Sequence, residues 1–272
     1  MEIQLNMQTV ESFFENLWQQ YTEVNPQAHA IHTLLQARGE SVVNDHVAMR
    51  TFNTDKLGID RLAKIFENMG YENRGSYDFT AKQLNAYHFE HKENPNHPKI
   101  FISELITESF SDEVQAIVKN IDDQVEPEDV FEDDFLFTGR PWDLTFEEYI
   151  TLLQESEYAA WTAAFGYRAN HFTVSINHLT TFFDIETLNQ FIQDNGFAMN
   201  DSGGLIKGSP EQLLEQSSTM APLVNLAFKA SNHLIPSCFY EFAKRYPTES
   251  GKLYQGFIAA SADKIFESTN SM

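Results

Sequence analysis

From Val10 to about Gln36, apolar residues recur at helical spacing: Phe13, Phe14, Leu17, Trp18 and Tyr21, then Ala30, Ile31, Leu34 and Leu35. Positions three and four apart share a helix face, so the stretch predicts amphipathic helix, divided in two by Asn25-Pro26 and ended by Gly39. The period then shortens. Val43, Val47, Met49 and Phe52 fall in an extended segment from about Asn44 to Phe52. Ile59, Leu62, Ile65, Phe66 and Met69 bring the helical period back as far as Gly70. Tyr71 to Phe79, Asn85 to His91 and Lys99 to Ile106 then read as three more strands.

A middle section follows. Ser111 is the expected N-cap of a helix through Val114, Ile117 and Val118. Asp122 to Asp134 is strongly acidic and holds Pro127, which predicts an exposed loop. Leu144 to about Phe165 is helical, with Phe146, Tyr149, Ile150, Leu153, Tyr158 and Trp161. The first order of elements then returns. Arg168 to Asn177 reads as a strand and Ile185 to Asp194 as a helix closed by Gly196. Short strands are expected at Phe197 to Asn200 and Leu205-Ile206, around Gly203-Gly204, and two last ones at Pro222 to Lys229 and Ser237 to Ala243.

Three matches in the same order support an internal repeat. Asp45-His46-Val47 aligns with Asn170-His171-Phe172, and Glu67-Asn68-Met69-Gly70-Tyr71 with Gln193-Asp194-Asn195-Gly196-Phe197. Phe101-Ile102-Ser103-Glu104-Leu105 aligns with Cys238-Phe239-Tyr240-Glu241-Phe242. The predicted fold is α+β: two pseudo-symmetric βαβββ units forming one cupped mixed sheet, with added helices. Residues 1–272 are expected to form a single catalytic domain, with N-terminal helices over 1–40 and the first unit over 41–110. A helical and acidic insertion spans 111–166, the second unit 167–247 and a tail 248–272.

Side chains alternate faces along a strand. His46, Ala48 and Arg50 therefore share a small, polar face, opposite Val47, Met49 and Thr51. His171, Thr173, Ser175 and Asn177 share the corresponding face of the second unit, and Glu241 lies with Phe239 and Ala243 in the last strand. Packing the units about a pseudo-twofold axis brings these faces into one cup, which makes His46, His171 and Glu241 candidate metal ligands. Two neutral imidazoles and a carboxylate leave the other coordination positions open, as ferrous iron needs to bind both substrate and oxygen; zinc accepts the same donors. Glu104, the repeat partner of Glu241, is a candidate fourth donor, a group behind the ligands, or an acid/base. Arg50 has no charge partner on its own strand face and is a candidate substrate contact.

Other patterns carry less. His88, His91, His97, His178 and His233 lack repeat partners and read as surface or core residues. Gly203-Gly204 lacks the spacing of a phosphate loop, no Gly-x-Ser-x-Gly elbow occurs, and Cys238 lies opposite Glu241 as a packed residue.

Composition narrows the partners. A formal charge of -22 and a pI of about 4.6 disfavour nucleic acid and anionic membranes. An anionic substrate would then need a local cation to overcome the global field. A single cysteine rules out an intramolecular disulfide and any multi-cysteine metal site. Met1 to Val10 lacks the basic and apolar regions of a signal peptide, and no apolar run reaches the roughly 18 residues of a membrane span. The expectation is a soluble, cytoplasmic protein.

Asn44-Asp45-His46-Val47-Ala48-Met49-Arg50-Thr51-Phe52, Asn170-His171-Phe172-Thr173 and Phe239-Tyr240-Glu241-Phe242-Ala243-Lys244-Arg245 resemble the 2-oxoadipate dioxygenase/decarboxylase family over about Thr9 to Tyr254. The resemblance implies a vicinal oxygen chelate-like fold, with Fe(2+) held by His46, His171 and Glu241. It implies substrate placed against His46, His171 and Arg50, the last holding a carboxylate. The implied reaction takes 2-oxoadipate and O2 to 2-hydroxyglutarate and CO2, within lysine catabolism. Longer members carry a further C-terminal region that forms part of the substrate pocket, and there the resemblance implies least. Two other readings fit the same cup: a metal-dependent isomerase or lyase using Glu104, and a non-catalytic ligand-binding protein. Activity without oxygen on nickel, cobalt or zinc marks the first; a ligand returned unchanged marks the second.

Overall fold

The computed structural model describes residues 9–126 and 135–269. Two helices, α1 (Val10–Val24) and α2 (Pro26–Ala37), open the chain. Thr9 caps the first through Ser12 N, and Pro26 starts the second, where its missing N–H is no loss. The first repeat is β1 (Asn44–Phe52), α3 (Ile59–Asn68), β2 (Tyr71–Phe79), β3 (Leu84–His91) and β4 (Lys99–Leu105). Then come α4 (Asp112–Asp123), α5 (Phe146–Glu155) and α6 (Glu157–Phe165). Ser111 caps α4, as expected, and Ser156 divides the predicted long helix by ending α5 and capping α6. The predicted acidic loop lies largely outside the described residues, because α4 runs to Asp123 and residues 127–134 are not described.

The second repeat holds β5 (Ala169–Ser175), α7 (Ile185–Asp194), β6 (Lys207–Ser209), β7 (Leu214–Ser218) and β10 (Phe239–Arg245). Between the last two lies a separate hairpin of β8 (Leu223–Ala227) and β9 (Asn232–Pro236). The main sheet runs β2-β3-β4-β1-β5-β10-β7-β6. The two halves are mirrored in order: β1 pairs parallel with β4, β5 parallel with β10, and β1 meets β5 antiparallel at the centre. This is the paired-unit cup expected from the repeat.

Three strand assignments need correction. Leu205-Ile206 is a bend, with the strand β6 starting just after it at Lys207. Phe197 to Asn200 contributes only an isolated bridge at Met199, and Pro222 to Lys229 supplies the separate hairpin rather than the main sheet. The sheet instead uses β6 and β7. Their sequences, Lys-Gly-Ser and Leu-Glu-Gln-Ser-Ser, show no apolar alternation, because β7 buries hydrogen-bonded polar side chains on both faces: Gln216 with Glu241 and Ser218 with Ser268 on one, Glu215 with Tyr246 and Ser217 with Asn189 on the other. Val224 and Leu226 alternate properly for a strand, and period alone cannot say which sheet a strand joins.

The convex face is packed by α1 and α2. Trp18 and Tyr21 meet Phe172 at ring distances of 5.1 and 5.0 Å, and the buried Tyr21 hydroxyl donates to the carbonyl of Phe239. A side chain such as Phe172, with no exposed surface, contributes about 1.5–3 kcal/mol by burial. That bond fastens the helical layer to β10 two residues before Glu241. The tail is built into the fold: α8 (Ala259–Ile265) and a tight turn at Phe266–Thr269 close over the concave face. Among the described residues no helix is long and apolar enough to cross a membrane.

Candidate metal centre

His46, His171 and Glu241 converge. Their candidate ligand atoms all lie within 4.8 Å of one another, and all three residues are buried. His171 Nε2 lies 3.1 Å from Glu241 Oε2, and His46 Nε2 lies 3.5 Å from Oε1. Both imidazoles are held by the residue immediately before them. His46 Nδ1 donates to Asp45 Oδ1 at 2.8 Å, and His171 Nδ1 to Asn170 Oδ1 at 3.0 Å. Neighbours in a regular strand point to opposite faces, so a device is needed. The β1–β5 register slips between Asn44 and His46 and again between Ala48 and Met49, leaving Asp45 and Asn170 as the extra residues of two bulges. A bulge re-aims one side chain without moving the next ligand off its face.

The consequence is a fixed tautomer. An ionised Asp45 can only accept, so the proton sits on Nδ1 and the Nε2 lone pair faces the centre. Thr173 Oγ1, 3.1 Å away, donates to that lone pair here. Burial pushes Asp45 up, but Arg245 and the His46 bond hold it well below the usual carboxylate range. Arg245 reaches both its oxygens, at 2.7 and 2.8 Å. Burial keeps His46 and His171 neutral, and His171 is lowered further by His46 and Arg50. Burial raises Glu241 to about 8, although Gln216 Nε2 donates to its Oε1 at 2.6 Å. Two lone pairs and a destabilised carboxyl in one pocket suit a divalent cation, which relieves the cost of burying the carboxylate.

The chamber over these atoms is small, about 20 Å³, enough for roughly one water. Phe101 and Gln216 wall it from the sheet, and Phe257, Ala262, Ile265 and Phe266 cover it from the tail. Arg50 is 2% exposed and lies one layer behind Phe266, whose ring is 5.6 Å from the guanidinium carbon. Tyr158 and Trp161 flank it at 4.9 and 5.0 Å. The absence of a charge partner read from its strand needs correction: Glu157, from α6, pairs with Nη1 at 3.1 Å. Nη2 donates to Thr269 Oγ1, and Nε has no hydrogen-bond partner among the described residues.

A profile of the 2-oxoadipate dioxygenase/decarboxylase family matches residues 8–138 and 131–252. The chain is 35% identical, over 96% of its length and 80% of the relative's, to the chloroplastic/amyloplastic 2-oxoadipate dioxygenase/decarboxylase of Oryza sativa subsp. japonica. The chain belongs to this family. Among solved structures, a protein of Shewanella frigidimarina described as a hydrolase is 52% identical, with a TM-score of 0.88 covering 93% of this chain and 99% of that one. The hydroxyglutarate synthase of Oryza sativa in complex with 2-oxoadipate is 34% identical, also with a TM-score of 0.88, covering 95% and 91%.

Within this 2-oxoadipate dioxygenase/decarboxylase family member, Glu104 is the site assignment that fails. β1 and β4 align His46 with Lys99, whereas β5 and β10 align His171 with Phe239. The structural equivalent of Glu241 is therefore Phe101, and the repeat alignment of this strand is three residues out of register. An odd shift moves a residue to the opposite face. Glu104 instead accepts from Ile59 N at 2.9 Å, at the N-terminus of α3, where a carboxylate satisfies a free N–H and complements the helix dipole. We expect Glu104→Ala to retain full metal binding and to lower stability by about 0.5–2 kcal/mol in urea unfolding. Metal loss comparable to that of a ligand variant would return Glu104 to the site.

Cys238 is buried against Ala169, and burial pushes its thiol up to about 12, so it is packed rather than nucleophilic. His88 is a buried residue bonded to Tyr77 and Glu90. Gln216, Phe257 and Phe266 were not singled out in the sequence: the first sits in a strand without alternation, the others in a tail without a repeat partner.

Proposed function

We propose that this chain catalyses the iron(II)-dependent oxidative decarboxylation of a 2-oxo dicarboxylic acid, with 2-oxoadipate and O2 giving 2-hydroxyglutarate and CO2. The observation that carries the reading is the convergence of two tautomer-fixed imidazoles and one carboxylate within 4.8 Å, in a buried chamber backed by Arg50. The rice structure's bound 2-oxoadipate supports the substrate class. Iron(II), when bound, supplies redox chemistry with dioxygen and a template for the 2-oxo acid.

The residues supply the rest. His46, His171 and Glu241 would hold the ion through three donors, so that substrate could take further positions on it. Asp45 and Asn170 keep the Nδ1 protons in place, so both Nε2 lone pairs stay available. Phe101, Phe257 and Phe266 exclude water, which strengthens every charge interaction inside. A six-carbon dianion does not fit about 20 Å³, so the tail must yield as substrate enters. Moving Phe266 uncovers Arg50, which exchanges Glu157 and Thr269 for the remote carboxylate in a planar, bidentate pairing.

With Glu104 on the opposite face, the isomerase or lyase reading loses its fourth donor and base. The test is anaerobic ferrous reconstitution followed by oxygen and a panel of 2-oxo acids. Stoichiometric O2 uptake and CO2 release with 2-oxoadipate are expected. Turnover without oxygen on nickel, cobalt or zinc would overturn the proposal.

A further inference from the structure

A second cavity, of about 320 Å³, opens at the end of the sheet where β1 and β4 begin and β5 and β10 end. Lys99, Arg245, Lys252, His97, His178 and Asn177 line it, with Asp45 as its one carboxylate among the described residues. In a chain of net charge -22, a recess with three cations to one acid is the reverse of the surrounding field. Focusing by low-dielectric walls makes such a recess attractive to small anions.

Lys99 is the residue that demands a partner. It is 7% exposed and has neither a hydrogen bond nor an ion pair within 4 Å among the described residues. The nearby acids are committed elsewhere: Asp45 holds Arg245 through two bonds and His46 through a third, and Glu90 bonds His88. A deeply set ammonium with no ion pair of its own is unfavourable, and an anion in the cavity would offset that.

Between this cavity and the metal chamber lie the Phe257 ring, which walls the chamber, and the Arg245 guanidinium stacked on it, which walls the cavity. Phe257 lies edge-on to His46 at 4.8 Å and against Phe101 at 4.9 Å on the chamber side, and under the Arg245 guanidinium at 5.2 Å on the other. Arg245 also holds the backbone that carries the ring, donating to the carbonyls of Tyr254 at 3.0 Å and Gly256 at 2.8 Å. An anion that engages Arg245 competes with those carbonyls and loosens the partition.

We propose that this cavity is a docking vestibule for a small dicarboxylate, anchored by Lys99 with Arg245 and Lys252, and that Phe257 is the partition between vestibule and metal chamber. The proposal rests on the reading that the chamber takes an anionic 2-oxo acid. Its test does not depend on turnover. Glutarate lacks the 2-oxo group that would chelate a metal, so it probes the vestibule when titrated calorimetrically into the anaerobic, iron-loaded full chain.

Wild type is expected to bind one glutarate. Lys99→Met should weaken it about tenfold or more, the exposed Lys252→Met about two- to threefold, and Lys99→Arg should restore it. His171→Ala should leave it intact. In turnover, Lys99→Met should lower kcat/KM for 2-oxoadipate with kcat within about twofold, and should flatten its salt dependence. No binding of glutarate by wild type up to about 10 mM, or equal affinity in a folded Lys99→Met, would overturn the vestibule. Loss of binding in His171→Ala with retention in Lys99→Met would place the anion in the metal chamber and overturn it equally. If glutarate binds as expected but no 2-oxo acid drives oxygen uptake, the functional reading fails and the anion site stands.

Discussion

Replacing Glu241 with alanine should remove nearly all tightly bound metal from a chain that still folds. The variant deletes the only anionic donor of the three, and His46→Ala or His171→Ala should have a similar effect by deleting one of two Nε2 atoms. Folding should survive, because burial makes the Glu241 carboxyl a liability without a metal: its pKa is raised to about 8. The same shift sets a pH dependence. Below about 8 a metal must displace the Glu241 proton, so affinity should rise about tenfold per pH unit up to that point and then flatten. His46 and His171, both lowered by burial, stay neutral in this window and add nothing to the slope. The metal-free protein should show the opposite trend. A folded pKa above the unfolded one means that stability is lost as pH rises from about 4.5 to about 8. Metal titrations and thermal unfolding across that range check both signs. Tight stoichiometric binding by a folded Glu241→Ala, or an affinity independent of pH, would refute the ligand set.

Legibility in the sequence followed the physics of each element. β1 was readable to the residue because a strand with apolar residues on one face and small or polar ones on the other alternates cleanly, even though both faces are buried, and α7 because its apolar stripe ends at a glycine. The Asp-His and Asn-His pairs were visible as a repeat, but their meaning was not. Alternation puts Asp45 and Asn170 on the wrong face, and only the two bulges, which depend on pairing between distant strands, bring them back behind the imidazoles. Glu104 shows the reverse error. A shared Glu-apolar ending looked like a repeat match, yet register is set by pairing with β1, and three residues of slip exchange a chamber wall for a helix cap. β6 and β7 escaped notice because β7 buries hydrogen-bonded polar side chains on both faces, which erases the apolar alternation by which strands are recognised. The covering role of Phe257 and Phe266 is wholly tertiary, since nothing in their local sequence says what they will close over.

Arg50→Met should leave metal occupancy normal and lower kcat/KM for 2-oxoadipate by about 30-fold to several thousand-fold, equivalent to about 2–5 kcal/mol. Arg50 lies four residues beyond His46 on the same face of β1, roughly 13 Å along the strand, so its role is at the far end of the substrate. Its surroundings are prepared for that role. Tyr158 and Trp161 fix the guanidinium plane, Nε is left without a partner, and the groups now holding it are exchangeable. Glu157 keeps 21% of its side chain in contact with solvent, so its charge can be hydrated once Arg50 turns to substrate. Arg50→Lys retains the charge but loses the planar fork and the stacking, and should fall between wild type and Arg50→Met. A monocarboxylic 2-oxo acid, with nothing for Arg50 to hold, should respond little to either change. That contrast separates substrate recognition from a general disturbance of the aromatic cage, which would lower turnover of both acids alike. Equal turnover of 2-oxoadipate by wild type and Arg50→Met, at full metal loading and subsaturating substrate, would remove Arg50 from recognition. The remote carboxylate would then have to be met elsewhere. Lys207, a buried cation on the far side of Glu241 whose pKa burial lowers to about 8, would become the residue to test next.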